Sequence, residues 1–379
     1  MNSFAAALSE HPLATRAVGE VAGEVLEQLG GERADLVVVF TSAHHLGALE
    51  DVTTALYRIL EPRAMVGGGA VAVAGGAREV EDGPAIAAFA AHCPDASLTP
   101  ARFETSDTAD GPAVVGWPEG ATDAHTLLLF AEPFSFPADA FAAEASTAHP
   151  ELRIIGGMAS AAGRGGNRIV FQDAVVAHGA VGVFVGHGLP VEPLVSQGCR
   201  PIGRPFTITR AQHNVIEELG GVSAMERLAE LAVSSGEGER ELIRRGLHVG
   251  LVVDEHKADF ERGDFLVRNV LGVHRENGAL AIGDTATVGQ TVQFHIRDAA
   301  AADDDLRALL ADADARGVLL FTCNGRGRAF FGTDDHDAAT IEDLLGPLPL
   351  AGAFCAGELG PVGRRNFVHG FTASMALFR

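Results

Sequence analysis

The 379-residue chain carries 50 acidic and 28 basic residues, a formal net charge of −22, and 47% of its residues are hydrophobic. A surface this acidic repels nucleic-acid phosphates and anionic membranes, which excludes nucleic-acid binding from the expected functions. The apolar share is enough for the cores of two domains. Because no apolar run approaches the ~18 residues that cross a bilayer, we expect a protein without membrane insertion.

The N-terminal segment and the cysteines both favour a cytoplasmic protein. The first residues lack the basic region and the apolar stretch of a secretory signal. The cysteines are too far apart in sequence for a C-x-x-C pair or a disulfide framework. A reducing cytoplasm suits this pattern. Metal ligands usually come in close local pairs, so the sequence predicts no metal site.

Along the chain, three stretches share one layout, at residues 36–76, 127–163 and 318–360. Each has an apolar run, then a helical pattern, then a second apolar run that breaks at glycine. This is the length and order of a strand–helix–strand crossover. The phenylalanine of the first run and the glycine of the second are 27, 26 and 31 residues apart, from Phe40 to Gly67, Phe130 to Gly156 and Phe321 to Gly352.

Each repeat continues into turn residues and one more apolar strand. These additional strands are predicted at residues 85–91, 179–186 and 370–378. The segment between the second and third repeats has a different pattern, beginning after Gly188 with a hairpin predicted from PLVSQGCRPIG, at 193–203, and PFTITRAQHNVIEELGG, at 205–221. The strict alternation of TVQFHIR, at 291–297, predicts a half-buried strand.

Two helix starts and a domain boundary are predicted in this middle segment. Ser223 and Glu226 have capping-box spacing, and Asp298 can cap the helix that follows it. The composition changes near Gly220, which divides the chain into domains 1–220 and 221–379. The expected fold class is α/β with α+β character: two domains of mixed β-sheets flanked by helices, with internally repeated strand–helix–strand units.

Polar residues gather in FTCNGRGRAFFGTDDHD, at 321–337, directly after a predicted strand. Cys323, Asn324 and Arg326 alternate there with glycines, which let a ligand approach the backbone closely. Loops at strand ends are the usual ligand position in α/β folds, and an arginine there can fork onto a carboxylate or a phosphate. The alternative is a tight turn with solvated arginines.

A second polar segment, FCAGELGPVGRRNFVHGFT at 354–372, begins just after the following strand. Glu358 is placed to receive a ligand amine, or to form an ion pair with Arg326 or Arg365. His369 lies at a strand edge, where a structural hydrogen bond is the alternative to a ligand contact. A Cys nucleophile would need His336 or His369 as its base.

Other glycine-rich turns carry further candidates. Cys199 and Arg200 follow a glycine in VSQGCRPIG. His44, His45 and His187 follow apolar strands, where a histidine can face a pocket or ligate haem iron. Loop histidines in water are the alternative.

The chain resembles the FIST family from about Asp35 to its end. SQGCRPIG, FTITRAQHNVIEELGG, FTSAHH and IIGGMASAA are similar to the family's N-terminal domain. LFTCNGRGRAFFG and AGAFCAGELGPVGRRNFVHGFTASMALF are similar to its C-terminal domain. The resemblance implies an intracellular bacterial sensory module that binds small ligands, amino acids being the usual proposal. Many relatives carry kinase, cyclic-dinucleotide or chemoreceptor output domains, and some resemble haem-binding nitric oxide sensors.

We therefore expect a small-ligand-binding sensory protein rather than an enzyme, with no output domain of its own and a separate signalling partner. Arg326 would hold a ligand carboxylate and Glu358 an amine, with hydrogen bonds from two asparagines. A haem-dependent gas sensor and a Cys-dependent hydrolase are the alternatives, and a homodimer is the commonest oligomer. The candidate ligand-binding residues are Cys323, Asn324, Arg326, Cys355, Glu358, Arg365, Asn366, His369, Cys199 and Arg200.

Overall fold

The structure is a computed structural model that describes residues 2–108, 111–257, 259–274 and 276–379. The chain forms two compact units. Unit 1 consists of Met1–Ser196, Leu306–Val368 and Thr372–Arg379, and unit 2 consists of Gln197–Asp305 with His369–Phe371. These units are defined by contacts, whereas the predicted division after residue 220 rests on composition; that division stays a prediction.

The predicted strand–helix–strand repeats are confirmed. The first repeat contains β1 (Ser3–Ser9), α1 (Ala14–Gln28), β2 (Leu36–Ser42), a 3-10 helix (Ala43–Ala48), α2 (Leu49–Leu60), β3 (Ala64–Ala70), β4 (Val73–Gly75), β5 (Arg78–Val80) and β6 (Ile86–His92). The second contains β7 (Leu98–Thr108), β8 (Gly111–Val115), β9 (Thr126–Ala131), α3 (Ala138–Ala148), β10 (Arg153–Met158), β11 (Ile169–Phe171), β12 (Ala174–Val176) and β13 (Ala180–Val185).

The third repeat is interrupted in sequence by unit 2. It begins with β14 (Val191–Gln197). The intervening elements are β15 (Cys199–Gln212), β16 (Val215–Leu219), β17 (Val222–Ser223), α4 (Ala224–Ser234), α5 (Glu237–Arg245), β18 (Leu247–Val252), a 3-10 helix (Arg262–Asp264), β19 (Phe265–His274), β20 (Ala279–Ile282) and β21 (Thr291–Arg297). The repeat then resumes with α6 (Ala299–Leu310), β22 (Gly317–Cys323), α7 (Arg328–Phe331), α8 (His336–Leu345), β23 (Leu350–Cys355), β24 (Glu358–Val362), β25 (Arg365–His369) and β26 (Thr372–Phe378).

The three repeats build three sheets with one strand order. The orders β1-β6-β2-β3, β7-β13-β9-β10 and β14-β26-β22-β23 correspond position by position. In each, the two crossover strands pair in parallel and the last strand pairs antiparallel beside them. The parallel pairs are buried on both sides, which explains their continuous apolar runs.

The repeats are joined by exchanged hairpins. Hairpin β4–β5 of the first repeat extends the sheet of the third through β23, and hairpin β11–β12 of the second extends the sheet of the first through β3. Hairpin β24–β25 of the third repeat extends the sheet of the second through β10. The second apolar runs of the three stretches were predicted at 65–76, 154–163 and 350–360. Their strands β3, β10 and β23 end earlier, at Ala70, Met158 and Cys355, because the chain crosses to a neighbouring sheet after each of them.

The phenylalanines and glycines that marked the repeats have equivalent roles. Phe40 contacts Phe130, with ring centroids 5.4 Å apart, and Phe321, at 5.9 Å. Gly67 and Gly156 adopt φ values of 148° and 155°, and a Cβ on either would overlap a carbonyl oxygen of the neighbouring parallel strand. The phenylalanines thus form one shared core cluster, and the glycines allow the crossover strands to approach.

Unit 2 is a ring of antiparallel strands. β15, β21, β18, β19, β20 and β16 pair in that order, and β15 also pairs with β16. The hairpin predicted from residues 193–203 and 205–221 is wrong in the position of its turn. β14 belongs to a sheet of unit 1, and the hairpin is β15–β16, which turns at His213 with φ 54°.

The predicted helix starts are present in unit 2. The Ser223 hydroxyl accepts from the Glu226 N–H at 3.3 Å, and the Asp298 carboxylate accepts from the Ala301 N–H at 3.2 Å. The alternation predicted for β21 fails at His295, which is fully buried. Within the described part of the chain, none of the helices has the length and apolar character needed to cross a membrane.

Candidate functional site

Several residues that the sequence singled out lie where β22 and β23 end. The two strands run in parallel, and their last residues, Cys323 and Cys355, are partners in register. β24 begins shortly afterwards at Glu358 and pairs with β10 in another sheet. The carboxyl ends of parallel strands are the usual ligand position in α/β folds. We call the side chains gathered here the strand-end cluster: Cys323, Arg326, Asp337, Cys355, Glu358 and Thr372.

Arg326 and Asp337 form an ion pair with both side chains fully buried. The guanidinium donates from Nε to Asp337 Oδ2 at 3.0 Å and from Nη2 to Oδ1 at 2.8 Å. The Thr322 hydroxyl donates to the same carboxylate at 2.7 Å, and His336 Nδ1 lies 3.0 Å from it. Burial opposes ionisation of Asp337, but Arg326 and these hydrogen bonds outweigh it and hold the pKa of Asp337 well below its usual range.

The local sequence explains how an arginine becomes buried after a strand. The Arg326 N–H donates to the Cys323 carbonyl at 2.8 Å, which turns the chain back immediately after β22. The guanidinium then lies 5.1 Å from the Phe331 ring centroid. The predicted solvated arginine is therefore found at Arg328, whose side chain is 55% exposed, and not at Arg326.

Glu358 is fully buried, and only one of its two carboxyl oxygens accepts hydrogen bonds. Its Oε2 accepts from the Thr372 N–H at 3.1 Å and from the Thr372 hydroxyl at 2.8 Å. Its Oε1 has no hydrogen-bond partner, and neither has Nη1 of Arg326. Burial raises the pKa of Glu358 to about 8, although Thr372 and Arg326 oppose the rise. Glu358 is therefore mainly protonated at neutral pH.

The two cysteines differ in their surroundings. The Cys323 thiol hydrogen-bonds the Glu358 carboxyl and lies 3.8 Å from Oδ1 of Asn324, whose side chain is exposed. The Cys355 thiol donates to the Ala353 carbonyl at 3.4 Å. Burial, with Glu358 and Cys323 nearby, raises the pKa of Cys355 well above its usual value.

The structure adds a carboxyl that sequence reasoning missed. Glu79, in the exchanged hairpin β4–β5, is buried, and its Oε1 accepts from the Ala338 N–H at 3.0 Å, near the start of α8. Burial and the nearby Asp337 charge raise the pKa of Glu79 to about 8. In the sequence, Glu79 is simply an acidic residue next to the apolar Val80. Nothing in the sequence pairs it with the third repeat.

Two predicted residues of hairpin β24–β25 have other contacts. The Asn366 side chain accepts from the Ile154 N–H at 2.8 Å and donates to the Leu152 carbonyl at 2.9 Å. It thereby joins the hairpin to the start of β10. Arg365 is exposed, and its guanidinium lies 5.2 Å from the Phe367 ring centroid. Their ligand roles stay predictions, outside the strand-end cluster.

Three other predicted residues belong to unit 2. Arg200 donates to Asp298 at 2.7 Å and to Glu239 at 3.2 Å. Cys199 is buried in a small hydrophobic core of that unit, and His369 is also buried. Arg200 is therefore part of an ion-pair network within this unit, and the ligand roles of these three residues stay predictions.

The histidines considered as haem ligands have other contacts or are exposed, and a haem role for them stays a prediction. Nε2 of His45 lies 3.1 Å from the His11 carbonyl, and His44 is exposed. His187 is 75% exposed and its Nδ1 lies 2.7 Å from Asp123 Oδ2. In the portion of the chain that the structure describes, no group of three or more His, Cys, Asp and Glu side chains is arranged to hold a metal ion.

Comparison with known proteins identifies the family. The FIST N domain model matches residues 35–222 and the FIST C domain model matches residues 224–361. The chain belongs to the FIST family. FIST domains are associated with sensory and signal-transduction roles.

Relatives match the chain over nearly its whole length. An uncharacterized protein of Mycobacterium tuberculosis strain H37Rv is 44% identical over 379 residues, covering 98% of each chain. An uncharacterized protein of Mycobacterium bovis is 42% identical over 376 residues, covering 97% of this chain and 96% of the relative.

The two buried carboxyls should make stability depend on pH. The pKa values of Glu79 and Glu358 are raised from 4.5 to about 8 in the folded state. Between pH 4.5 and about pH 8 the folded state therefore binds more protons than the unfolded state. The free energy of unfolding should therefore fall as pH rises from about 4.5 to about 8. Each carboxyl should contribute at least about 1 kcal/mol to the fall. Urea unfolding across this range measures it.

Variants assign this pH dependence to the cluster. Glu358→Gln should remove part of the decrease in the free energy of unfolding between pH 4.5 and about pH 8, because glutamine does not ionise. The double variant Glu79→Gln with Glu358→Gln should remove most of that decrease. Asp304→Asn, at an exposed position of α6, is the control for the loss of one carboxylate. A slope in Glu358→Gln equal to that of the unmodified protein would show that Glu358 is not the titrating group.

Proposed function

We propose that this FIST protein is a sensory protein that binds a small amino-acid-like ligand at the strand-end cluster, between Nη1 of Arg326 and Oε1 of Glu358. One observation carries the proposal. Two fully buried, ionisable side chains lie near each other at strand ends, and each has one polar atom without a hydrogen-bond partner.

Unpartnered buried polar atoms are costly. Leaving such a group without a hydrogen bond costs about 1–3 kcal/mol, and more when the group is charged. A ligand with a carboxylate and an ammonium group satisfies both atoms: the carboxylate accepts from Nη1 of Arg326, and the ammonium donates to Oε1 of Glu358. Because Asp337 already accepts from Nε and Nη2, the nitrogen that Arg326 offers to a ligand is Nη1.

Ligand entry requires the loop between β22 and α8 to open, because Arg326 and Glu358 are both fully buried. This loop has left-handed backbone at Gly332 and Asp335, with φ values of 77° and 61°. Arg328 in this loop forms exposed ion pairs with Asp82 and Asp334, and pairs of this kind are weak enough to break when the loop opens. Closed and open loops are the two states between which a ligand would shift the population.

The pH dependence of binding tests the role of Glu358. An ammonium group requires the ionised carboxylate, whose fraction rises about tenfold per pH unit below the pKa. Because the pKa of Glu358 is raised to about 8, affinity for an amino-acid ligand should rise about tenfold from pH 6 to pH 7. Titration calorimetry with a panel of amino acids measures it, with each deaminated analogue as the matched ligand.

A matched control exists in the second repeat. Glu132 directly follows β9 and is buried, but both of its oxygens accept hydrogen bonds, from Ser135 and Asn167 among others. Glu358→Gln should abolish ligand-induced thermal stabilisation, whereas Glu132→Gln should retain it. Unchanged affinity in Glu358→Gln, or affinity that is flat from pH 6 to pH 7, contradicts the amine assignment.

Compartment and partners are part of the same proposal. The four cysteines are buried thiols outside any disulfide, which supports a reducing cytoplasm. The opened loop would signal to a separate protein or across a homodimer. Native mass spectrometry of freshly purified protein would weigh both the retained ligand and the oligomer.

A further inference from the structure

The strand-end cluster contains two thiols in an arrangement that ligand binding does not use. Cys323 and Cys355 are in-register partners on adjacent parallel strands. Neighbouring strands lie about 4.8 Å apart, within the roughly 4.4–6.8 Å between Cα atoms that a disulfide spans. Because in-register residues of paired strands point to the same face, the two thiols share one side of the sheet.

The Cys355 side chain lies against a glycine and makes a weak hydrogen bond. A Cβ on Gly157 of β10 would overlap the Cys355 sulfur, so the glycine makes the space that this side chain occupies. The Cys355 thiol donates to the Ala353 carbonyl at 3.4 Å, and because a thiol is a weak donor, this bond costs little to give up for another rotamer.

The two thiols are also unequal. Cys323 is 7% exposed, whereas Cys355 is completely buried. The Cys323 thiol hydrogen-bonds Glu358, whose Oε1 is without a partner and can hold a proton. A less deeply buried thiol with an adjacent proton acceptor, next to a fully buried second thiol, is the arrangement of an attacking and a resolving cysteine.

We infer that Cys323 and Cys355 are a redox-active dithiol that reduces a small hydroperoxide, such as hydrogen peroxide, and forms a reversible disulfide. This activity goes beyond ligand binding and does not rest on it.

The chemistry balances in two steps. The Cys323 sulfur attacks one peroxide oxygen and breaks the O–O bond; Glu358, in its ionised form, takes the thiol proton and passes it to the departing oxygen, which leaves as water. Cys323 is then a sulfenic acid. The Cys355 sulfur attacks the Cys323 sulfur, and the hydroxyl leaves with the Cys355 proton as a second water. Two thiols and one hydrogen peroxide thus give one disulfide and two waters.

The test uses the full chain, reduced and free of added ligand. It is treated with hydrogen peroxide, alkylated under denaturing conditions and digested for peptide mass spectrometry. We expect a peptide pair linked through Cys323 and Cys355 that dithiothreitol separates. Cys93 and Cys199 are matched controls because both are buried thiols outside any disulfide, and both should be recovered in alkylated form.

Two variants separate the roles. In Cys355→Ser, Cys323 should stop at the sulfenic acid and be trapped by dimedone; in Cys323→Ser, Cys355 should stay a thiol. Glu358→Gln should slow sulfenic acid formation by about a hundredfold, the lower range of general-base effects. Circular dichroism verifies that each variant is folded.

The inference is overturned if Cys323 and Cys355 remain thiols in the folded chain after peroxide treatment, whether or not Cys93 or Cys199 oxidises. Linkage of Cys323 to any other cysteine, or linkage seen only after unfolding, overturns it as well. Because no ligand is present, these outcomes are independent of whether an amino acid binds.

Discussion

Replacing Asp337 by alanine is expected to lower the free energy of unfolding by about 3–5 kcal/mol, the usual cost of removing one partner of a buried ion pair. Arg326 is fully buried, remains charged, and would lose both of its hydrogen bonds to the carboxylate. Because the pKa of Asp337 is depressed on folding, this stabilisation is present above about pH 4 and is lost as pH falls further.

Asp334→Ala is the matched control in the same loop. Asp334 also pairs with an arginine, Arg328, at 3.3 Å, but these side chains are 70% and 55% exposed. Exposed pairs of this kind contribute little, so the control should unfold almost like the original protein in urea. Equal unfolding curves for Asp337→Ala and Asp334→Ala would contradict the buried pair as a source of stability.

Replacing Phe40 by alanine should lower the free energy of unfolding by about 3–5 kcal/mol. Phe40 is fully buried and contacts both Phe130 and Phe321, so its removal leaves a cavity where the three repeats meet. Chemical denaturation measures the loss. Phe134→Ala is the control, since Phe134 follows β9 but is 48% exposed.

The double variant shows whether the cluster acts as a unit. Phe40 and Phe321 are in contact although they belong to the first and third repeats. Their alanine substitutions should therefore be non-additive by at least about 0.5 kcal/mol. Strict additivity would mean that the two rings contribute to separate cores.

The repeats could be predicted from the sequence because their signal is local. Apolar runs and glycine breaks lie within about 30 residues of each other, the length of a crossover unit. The helical pattern predicted within 127–163 is present as α3, and the predicted strand over 85–91 is displaced by one residue from β6. The exchange of hairpins β4–β5, β11–β12 and β24–β25 could not be predicted. These strands are short, and their sequences do not specify which sheet edge they pair with.

The candidate site was predicted in part for the same reason. Cys323, Arg326 and Glu358 stand out locally, as polar residues between glycines at strand ends. Asp337 and Thr372 were missed as partners, because a helix-starting aspartate and a strand-starting threonine are ordinary residues until the fold pairs them. The ion pair of Arg326 is therefore with Asp337, whereas the sequence had suggested Glu358 or an external ligand.

By itself, the sequence of this FIST protein determined the repeated crossover, the identity of its core residues and the glycine-rich strand ends, since these depend on spacing along a few dozen residues. Only the tertiary structure decided that a hairpin of the first repeat brings Glu79 to the start of α8 in the third, and that Arg326 and Glu358 each keep one unpartnered atom. Such facts depend on which sheet edges pair and on how much water is excluded, and both are properties of the assembled unit.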